Sequence, residues 1–470
     1  MERKARKTRE VQGMAKAARK TREDATRKVH VHHLSRVEGH GNIVAEIDEK
    51  GMVTACRWEV PEAPRFFEAM ILGRRFTDVH QIVSRICGIC AIGHQLASLQ
   101  ATEEALGVRI SEQTQILRKL ALHAENVQIH LLHIGYLVLP DLLGVPSVLP
   151  LAETHRQELL TLIGARRLSN DFSQMICGRT THPQRLVPGG MSKLPSEEEL
   201  VQLKGMLGEM LHKALAVVDL FALLKDKFPD FERPTEYVSL VSPHDYALLW
   251  GVIGSSKAER RPASRYRATT KEYCTPQSTA KWTRGEEGPY MVGALARFNL
   301  NAPLLSGSAK AAAGKLGLAA PCHNPYLITL AQLVEVVHSA EDSLALVESL
   351  LSRGVKPEPA PTITPAAGRG VGAVEVPRGI LFHSYEYDDK GRIVEADCVI
   401  PTGQNHANIQ ADFDALLPII AGLGEPEIEL KLSMLVRAYD PCISCSTHLI
   451  DVRGLDEEQE RRRVTFIRKK

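Results

Sequence analysis

Neither sign of charge dominates this chain. Its 58 basic residues against 56 acidic ones leave a net +2, which removes the electrostatic case for a nucleic-acid or membrane-surface binder. No apolar run is both long and unbroken. The most apolar stretch, Ile129 to Leu151, is interrupted by His130, His133, Pro140, Asp141 and Pro146, so it reads as a buried helix and its exit, not a membrane span. A secretory signal is also missing, because the first 28 residues are basic and lack an apolar core segment. Nine cysteines among 470 residues are too few for a disulfide scaffold. What is present is ordinary. The 44% hydrophobic and 24% charged residues describe a globular chain with ample core, neither fibrous nor largely disordered.

Residues 1–28 stand apart. The string ARKTRE occurs twice there, from Ala5 and from Ala18, with a single valine and no aromatic residue. Such a segment cannot bury enough surface to fold alone, so it is expected to be a solvated leader, with docking to a partner or an anionic surface as the alternative. The folded part is expected from about Val29 to His448, followed by a charged tail, 449–470. Asn42–Ile47 and Met52–Val60 read as strands around the turn Asp48-Glu49-Lys50-Gly51, and Gly379–Tyr387 and Arg392–Ile400 repeat the plan around Asp388-Asp389-Lys390-Gly391. Helices are expected at Arg65–Leu72 after Pro64, at Gly93–Leu106, and from the cap Ser111 to Leu139, where Pro140 stops it. A capping box from Ser196 to Glu199 opens another to Leu224. Leu327–Ser352, Ile409–Leu423 and Glu427–Tyr439 complete the set, while Lys356–Gly372, rich in Pro, Gly and Thr, reads as a loop. The result is one α+β body with a large helical core, long central helices and small β hairpins near both ends.

Five cysteines, Cys56, Cys177, Cys274, Cys322 and Cys398, are scattered singly and read as small buried hydrophobes. The other four form two CxxC pairs at opposite ends of the chain, in Arg85-Ile86-Cys87-Gly88-Ile89-Cys90 and in Asp440-Pro441-Cys442-Ile443-Ser444-Cys445. A thioredoxin-like redox pair would sit in a βαβ unit that is not apparent here. A structural zinc site would bring its pairs closer in sequence. Four soft sulfurs suit zinc, an iron–sulfur cluster or another late transition metal. Closing one site between positions 87 and 442 makes the metal join both ends of the fold.

RICGIC with His94, and DPCISCSTH, resemble the two signatures of nickel–iron hydrogenase large subunits. Further matches follow in order: Arg36-Val37-Glu38-Gly39-His40, PRFFE ending in Glu68, VPRG with Pro377 and Arg378, and PTGQN with Thr402. The resemblance implies Cys87 and Cys442 as terminal nickel ligands, and Cys90 and Cys445 as bridges to an iron that carries carbon monoxide and cyanide. Dihydrogen is then split heterolytically, with Cys442 or Arg378 as base and Glu38 as proton relay. The alternative for Glu38 is a structural salt bridge with Arg36. The same resemblance puts His94, Pro377 and Thr402 around the cofactor, His94 near a bridging sulfur and Thr402 facing cyanide. It places Mg2+ (or Fe2+) at a second site made by Glu68, His448 and the backbone carbonyl of Cys398. Pro188-Gly189-Gly190, and Gly288-Pro289-Tyr290 with Ala296-Arg297, are similar to other landmarks of the family and read as turns and packing. His123, His130 and His133 read as core.

Relatives end at the His of the second signature, so cleavage after His448 by a maturation endopeptidase is expected. No iron–sulfur motif remains once the four cysteines are assigned, which implies an iron–sulfur small subunit. Further electron-transfer partners would be of NAD(P)-reducing or ferredoxin and heterodisulfide reductase type, since the strings are most similar to the cytoplasmic bidirectional group. Two other readings share this fold: a metal-free scaffold like the large-subunit relatives in respiratory complex I, and a hydrogen-sensing regulatory hydrogenase. The scaffold relatives have lost the four cysteines, and this chain has them.

Overall fold

Local signals in the chain set where the long helices begin. Ser111 accepts a hydrogen bond from the Thr114 amide at 3.0 Å. Ser196 and Glu199 cap each other's backbone at 2.8 and 3.1 Å, the reciprocal capping box. The computed structural model describes residues 27–359 and 361–447, and the expected leader up to residue 26 and the tail from His448 onward lie outside the described residues. The principal helices are α1 (Ala91–Ala105), α2 (Glu112–Leu132), α3 (Arg156–Cys177), α4 (Glu197–Leu224), α5 (Ala294–Asn301), α6 (Ile328–Arg353), α7 (Pro401–Ile420) and α8 (Glu425–Ala438). Helices α2, α3, α4 and α6 pack in a ring, each against the next, around buried aliphatic side chains such as Leu120, Leu162, Leu207 and Val337.

Each expected hairpin gains a third strand. Near the start, β1 (Arg27–Val31), β2 (Asn42–Ile47) and β3 (Val53–Glu59) form an antiparallel sheet; near the end, β4 (Gly368–Val376), β5 (Gly379–Tyr387) and β6 (Ile393–Val399) form another. The two turns are built alike. Asp48 Oδ1 accepts from the amides of Lys50 and Met52, and Asp388 Oδ1 from those of Lys390 and Arg392, all at 2.8–2.9 Å.

The expected loop Lys356–Gly372 holds among the described residues up to residue 367, but its end, from Gly368, belongs to strand β4, and the glycines there explain both the misreading and the fold. A Cβ on Gly368, Gly370 or Gly372 would collide with the carbonyl oxygen of Ala105, Ala101 or Ala97 in α1. Two residues of strand advance about 6.6 Å and four residues of helix about 6 Å, so the small residues stay in step along the crossing. Helix and sheet backbones therefore meet with almost no side chain between them. This contact seats α1, which follows Cys90, beside the hairpin that carries Arg378.

Three other expectations change. The helix from Ser111 reaches Leu139 but is not stopped by Pro140: it is α-helical to Leu132, takes π-helical winding over His133–Val138, and adds a turn at Leu139–Leu142 that contains Pro140. Proline has no N–H for the carbonyl four residues back, and the wider winding before it changes that pairing. The helix expected at Ile409 starts at Pro401, with proline in the first turn, where its missing N–H costs nothing. Among the single cysteines, Cys177 and Cys398 are buried and Cys56 and Cys322 partly so, but Cys274 is exposed, just past the short strand Lys271–Tyr273. It is therefore not the buried hydrophobe expected. Among the described residues no helix is long and apolar enough to cross a membrane.

Candidate metal centre

Cys87 and Cys90 lie on the turn that leads into α1, with Cys90 immediately before its first residue. The amides of Cys90 and Ile89 donate to Cys87 Sγ at 2.9 and 3.4 Å, which favours a thiolate. Cys442 and Cys445 follow α8, Cys445 within a turn of 3-10 helix at Ser444–Ser446. The two ends of the chain are zipped together here. Glu38 bridges Cys442 in parallel, the Ile443 amide donates to the Glu38 carbonyl at 3.0 Å, and the Arg65 amide donates to the Thr447 carbonyl at 2.7 Å. His406 adds a side-chain bridge: its Nδ1 accepts from Trp58 Nε1 at 3.0 Å, so its Nε2–H faces Ser446 Oγ, also at 3.0 Å. Burial pushes His406 down to about 3, so it is neutral in this bridge.

As a result the four buried sulfurs lie within 4.8 Å of one another, and Cys87 Sγ is 3.7 Å from Cys442 Sγ. As thiolates, the four sulfurs converge on one point.

Polar groups gather around this cluster. Arg378 donates from Nε to the Asp440 carbonyl and from Nη2 to Asp440 Oδ1 at 2.9 Å. Thr402, in the first turn of α7, accepts the Cys442 amide on its hydroxyl at 3.0 Å. Glu38 accepts from the Ser444 hydroxyl and, at 3.2 Å, from the Ser444 amide. Arg36 turns away from Glu38, donating to the Leu137 carbonyl at 2.7 Å and to Asp141. His94, on α1, holds Nδ1 3.1 Å from His383 Nε2.

Comparison with known proteins decides what this cluster belongs to. A model described as nickel-dependent hydrogenase matches residues 65–171 and 328–448, and a HoxL-like one matches residues 28–63. The alpha chain of sulfhydrogenase 1 from Pyrococcus furiosus is 32% identical over 89% of this chain and 97% of its own length. The chain belongs to the nickel-dependent hydrogenases, as a large subunit. It is an oxidoreductase that acts on hydrogen. A vhc-type F420-non-reducing hydrogenase chain from Methanococcus voltae is likewise 32% identical, over 90% of this chain and 95% of its own. A solved NAD+-reducing [NiFe]-hydrogenase superposes with a TM-score of 0.80 at 29% identity, covering 90% of this chain and all of that one. The α+β architecture is thus the hydrogenase large-subunit fold.

The residues present fit the family's nickel–iron centre. Four convergent sulfurs are the soft donor set it needs. Arg378 Nη1 is buried without a hydrogen-bond partner among the described residues. A donor in that position is costly, and an anionic acceptor at the centre would satisfy it.

Of the residues expected at a second site, Glu68 and Cys398 are among the described residues. Glu68 is buried, with Oε1 3.3 Å from Lys281 Nζ, which also reaches Glu272 at 2.9 Å. Burial pushes the Cys398 thiol well up, assisted by the charges of Glu68 and Asp397, so Cys398 and Glu68 share one neighbourhood. His448 lies outside the described residues. The three helix histidines are core: His123 meets Asp342 at 2.7 Å, His130 meets Glu335 at 2.9 Å, and His133 meets Gln332 at 2.5 Å, so α2 and the π-helical segment after it are stitched to α6.

Asp440, Glu125, His383 and His406 were not singled out by the sequence. Glu125, on α2, accepts the Ile92 and Gly93 amides at 2.6 and 3.0 Å, at the start of α1. Burial pushes its carboxyl up to about 8, against those amides and the Arg378 charge. One signal was available: the polar run Thr402 to Asn408 directly after a proline is what a buried, hydrogen-bonding first helical turn requires.

Proposed function

We propose that this subunit cleaves dihydrogen reversibly at a nickel–iron centre held by Cys87, Cys90, Cys442 and Cys445, and passes the electrons to an iron–sulfur small subunit. The observation that carries the proposal is the convergence of four sulfurs from both ends of the chain within 4.8 Å. When bound, the nickel–iron pair supplies a redox-active Lewis acid that polarises dihydrogen. Everything else falls to the chain. Cys442 Sγ and Arg378 are the groups placed to receive the proton. Glu38, bonded to both the amide and the hydroxyl of Ser444, is paired with Cys442 through the parallel bridge and takes the proton onward. Thr402, Pro377 and His94 shape the surroundings, and the Thr402 hydroxyl has hydrogen-bonding capacity beyond the Cys442 amide. Glu68, the Cys398 carbonyl and His448 would hold Mg2+ or Fe2+, an oxygen-rich set with one imidazole.

Among the described residues no other cysteine group gathers into a cluster, which supports an exit for electrons through a separate iron–sulfur chain. The likeness to a NAD+-reducing hydrogenase supports a further NAD(P)-reducing partner in a cytoplasmic complex; a ferredoxin and heterodisulfide reductase system is the other acceptor class. The purified complex tests the reading. Nickel in the large subunit, iron in excess of nickel because the small subunit's clusters add to it, and hydrogen-dependent dye reduction are expected. Cys445→Ser should lose iron and activity together, whereas Glu38→Gln should keep both metals and lose about 10²–10⁴-fold in turnover. Full activity in Cys445→Ser, or a wild-type complex without nickel, refutes it.

A further inference from the structure

Arg297 lies fully buried on α5, and every one of its five N–H donors is used. Nε and Nη2 each donate to Glu335 at 2.6 Å, and Nη1 donates to Glu375 at 2.8 Å. The remaining two go to backbone: Nη1 to the Val376 carbonyl at 3.0 Å and Nη2 to the Pro377 carbonyl at 2.9 Å. Those are the two residues before Arg378. The carboxylates are themselves held, Glu335 by His130 Nε2 at 2.9 Å and the Tyr246 hydroxyl at 2.6 Å, Glu375 by the Leu240 amide at 2.7 Å. On the other side of Arg378, a Cβ on Gly293 would come to 3.0 Å from the Arg378 carbonyl oxygen. The segment that opens α5 thus touches the backbone both before and at Arg378. The two guanidiniums contrast. One is saturated, and the other, Arg378, spends Nε and Nη2 on Asp440 and leaves Nη1 without a partner among the described residues.

We propose that Arg297 is a positioning residue for Arg378: its grip on the Val376 and Pro377 carbonyls fixes the backbone from which the Arg378 guanidinium reaches Asp440 and presents Nη1 to the metal centre. The proposal rests on the role given to Arg378 above. A lysine cannot substitute, because three donors on a point charge cannot span two carboxylates and two carbonyls in one plane. Misplacing a group by about 1 Å costs on the order of 10²-fold in rate, and that is the loss expected.

The test compares Arg297→Lys, Arg378→Lys and the double variant as loaded complexes. Arg297→Lys should lower kcat about 10²-fold with KM for hydrogen unchanged, and should move the infrared cyanide bands in the same sense as Arg378→Lys. The double variant should be no slower than Arg378→Lys alone, because the first residue acts through the second. Losses that multiply, or cyanide bands that stay still in Arg297→Lys, overturn the proposal. If Arg297→Lys does not take up metal, hydrogen–deuterium exchange of the full apo chain decides. Faster exchange confined to the Arg378 and Gly379 amides supports it, and unchanged or uniformly raised exchange overturns it. A fully active Arg378→Lys removes the role of Arg378 instead, and the exchange measurement still reads Arg297 by itself.

Discussion

Replacing Glu125 with glutamine should stabilise the apo chain by an amount that grows with pH. Burial holds the Glu125 carboxyl up at about 8 in place of its ordinary 4.5, although two amides and the charge of Arg378 pull the other way. Below the ordinary value both the folded and the unfolded chain keep the proton, so the residue costs nothing. Between 4.5 and 8 the unfolded chain gives it up while the folded chain does not, and folding stability falls. At about 1.4 kcal/mol for each pH unit, the loss approaches 4–5 kcal/mol above pH 8. Glutamine stays neutral and keeps one amide acceptor. Its amide group meets the second backbone N–H at a fixed cost that does not vary with pH. The assay is urea denaturation of the full-length apo chain, wild type and Glu125→Gln, from about pH 5 to about pH 9. Burial also pushes Glu272 and Glu375 up to about 7, but both chains carry them, so the difference between the chains isolates Glu125. A difference that stays flat across the range refutes the reasoning, since Glu125 would then be ionised in the folded state.

Three further changes probe how the centre is assembled. Thr402→Val removes the acceptor of the buried Cys442 amide and should cost about 1–3 kcal/mol, read as a lower denaturation midpoint, with weakened metal retention. Asp141 is buried between Arg36 and Arg437, with Arg437 Nε at 2.7 Å; Asp141→Asn strands two guanidiniums and should cost about 3–5 kcal/mol in thermal unfolding. Gly372→Val drives a side chain into the Ala97 carbonyl. It should prevent accumulation of metal-loaded enzyme, and normal nickel content would show that the helix–strand contact has room to spare.

Much of the local structure was legible because its causes are neighbours in the chain. The Ser196–Glu199 box starts α4 where expected, and the two Asp-x-Lys-Gly turns sit between the strands that their side chains organise. Two of the misreadings show where local reading fails. Gly368, Gly370 and Gly372 carry turn chemistry in a string, yet here they clear space for α1; Pro401 looks like a break, yet it opens α7. For the glycines the partner that gives them their meaning is far away in sequence, whereas Pro401 acts locally, in the first turn of the helix it opens.

The two CxxC pairs were legible from residue type and spacing, whereas Glu38, Arg378 and Thr402 were named only through the resemblance of their strings to a family. Whether those sulfurs share a point was not legible. That depends on a parallel bridge between Glu38 and Cys442, on His406 joining Trp58 to Ser446, and on an alanine-faced helix lying against glycines of a strand. Asp440 as the anchor of Arg378, Glu125 beneath the first cysteine pair and Arg297 behind the second arginine are likewise decided by packing. The physical reason is that caps and turns are settled by bonds within a few residues, whereas burial, which fixes charge state and pairing, exists only once distant segments have excluded water together.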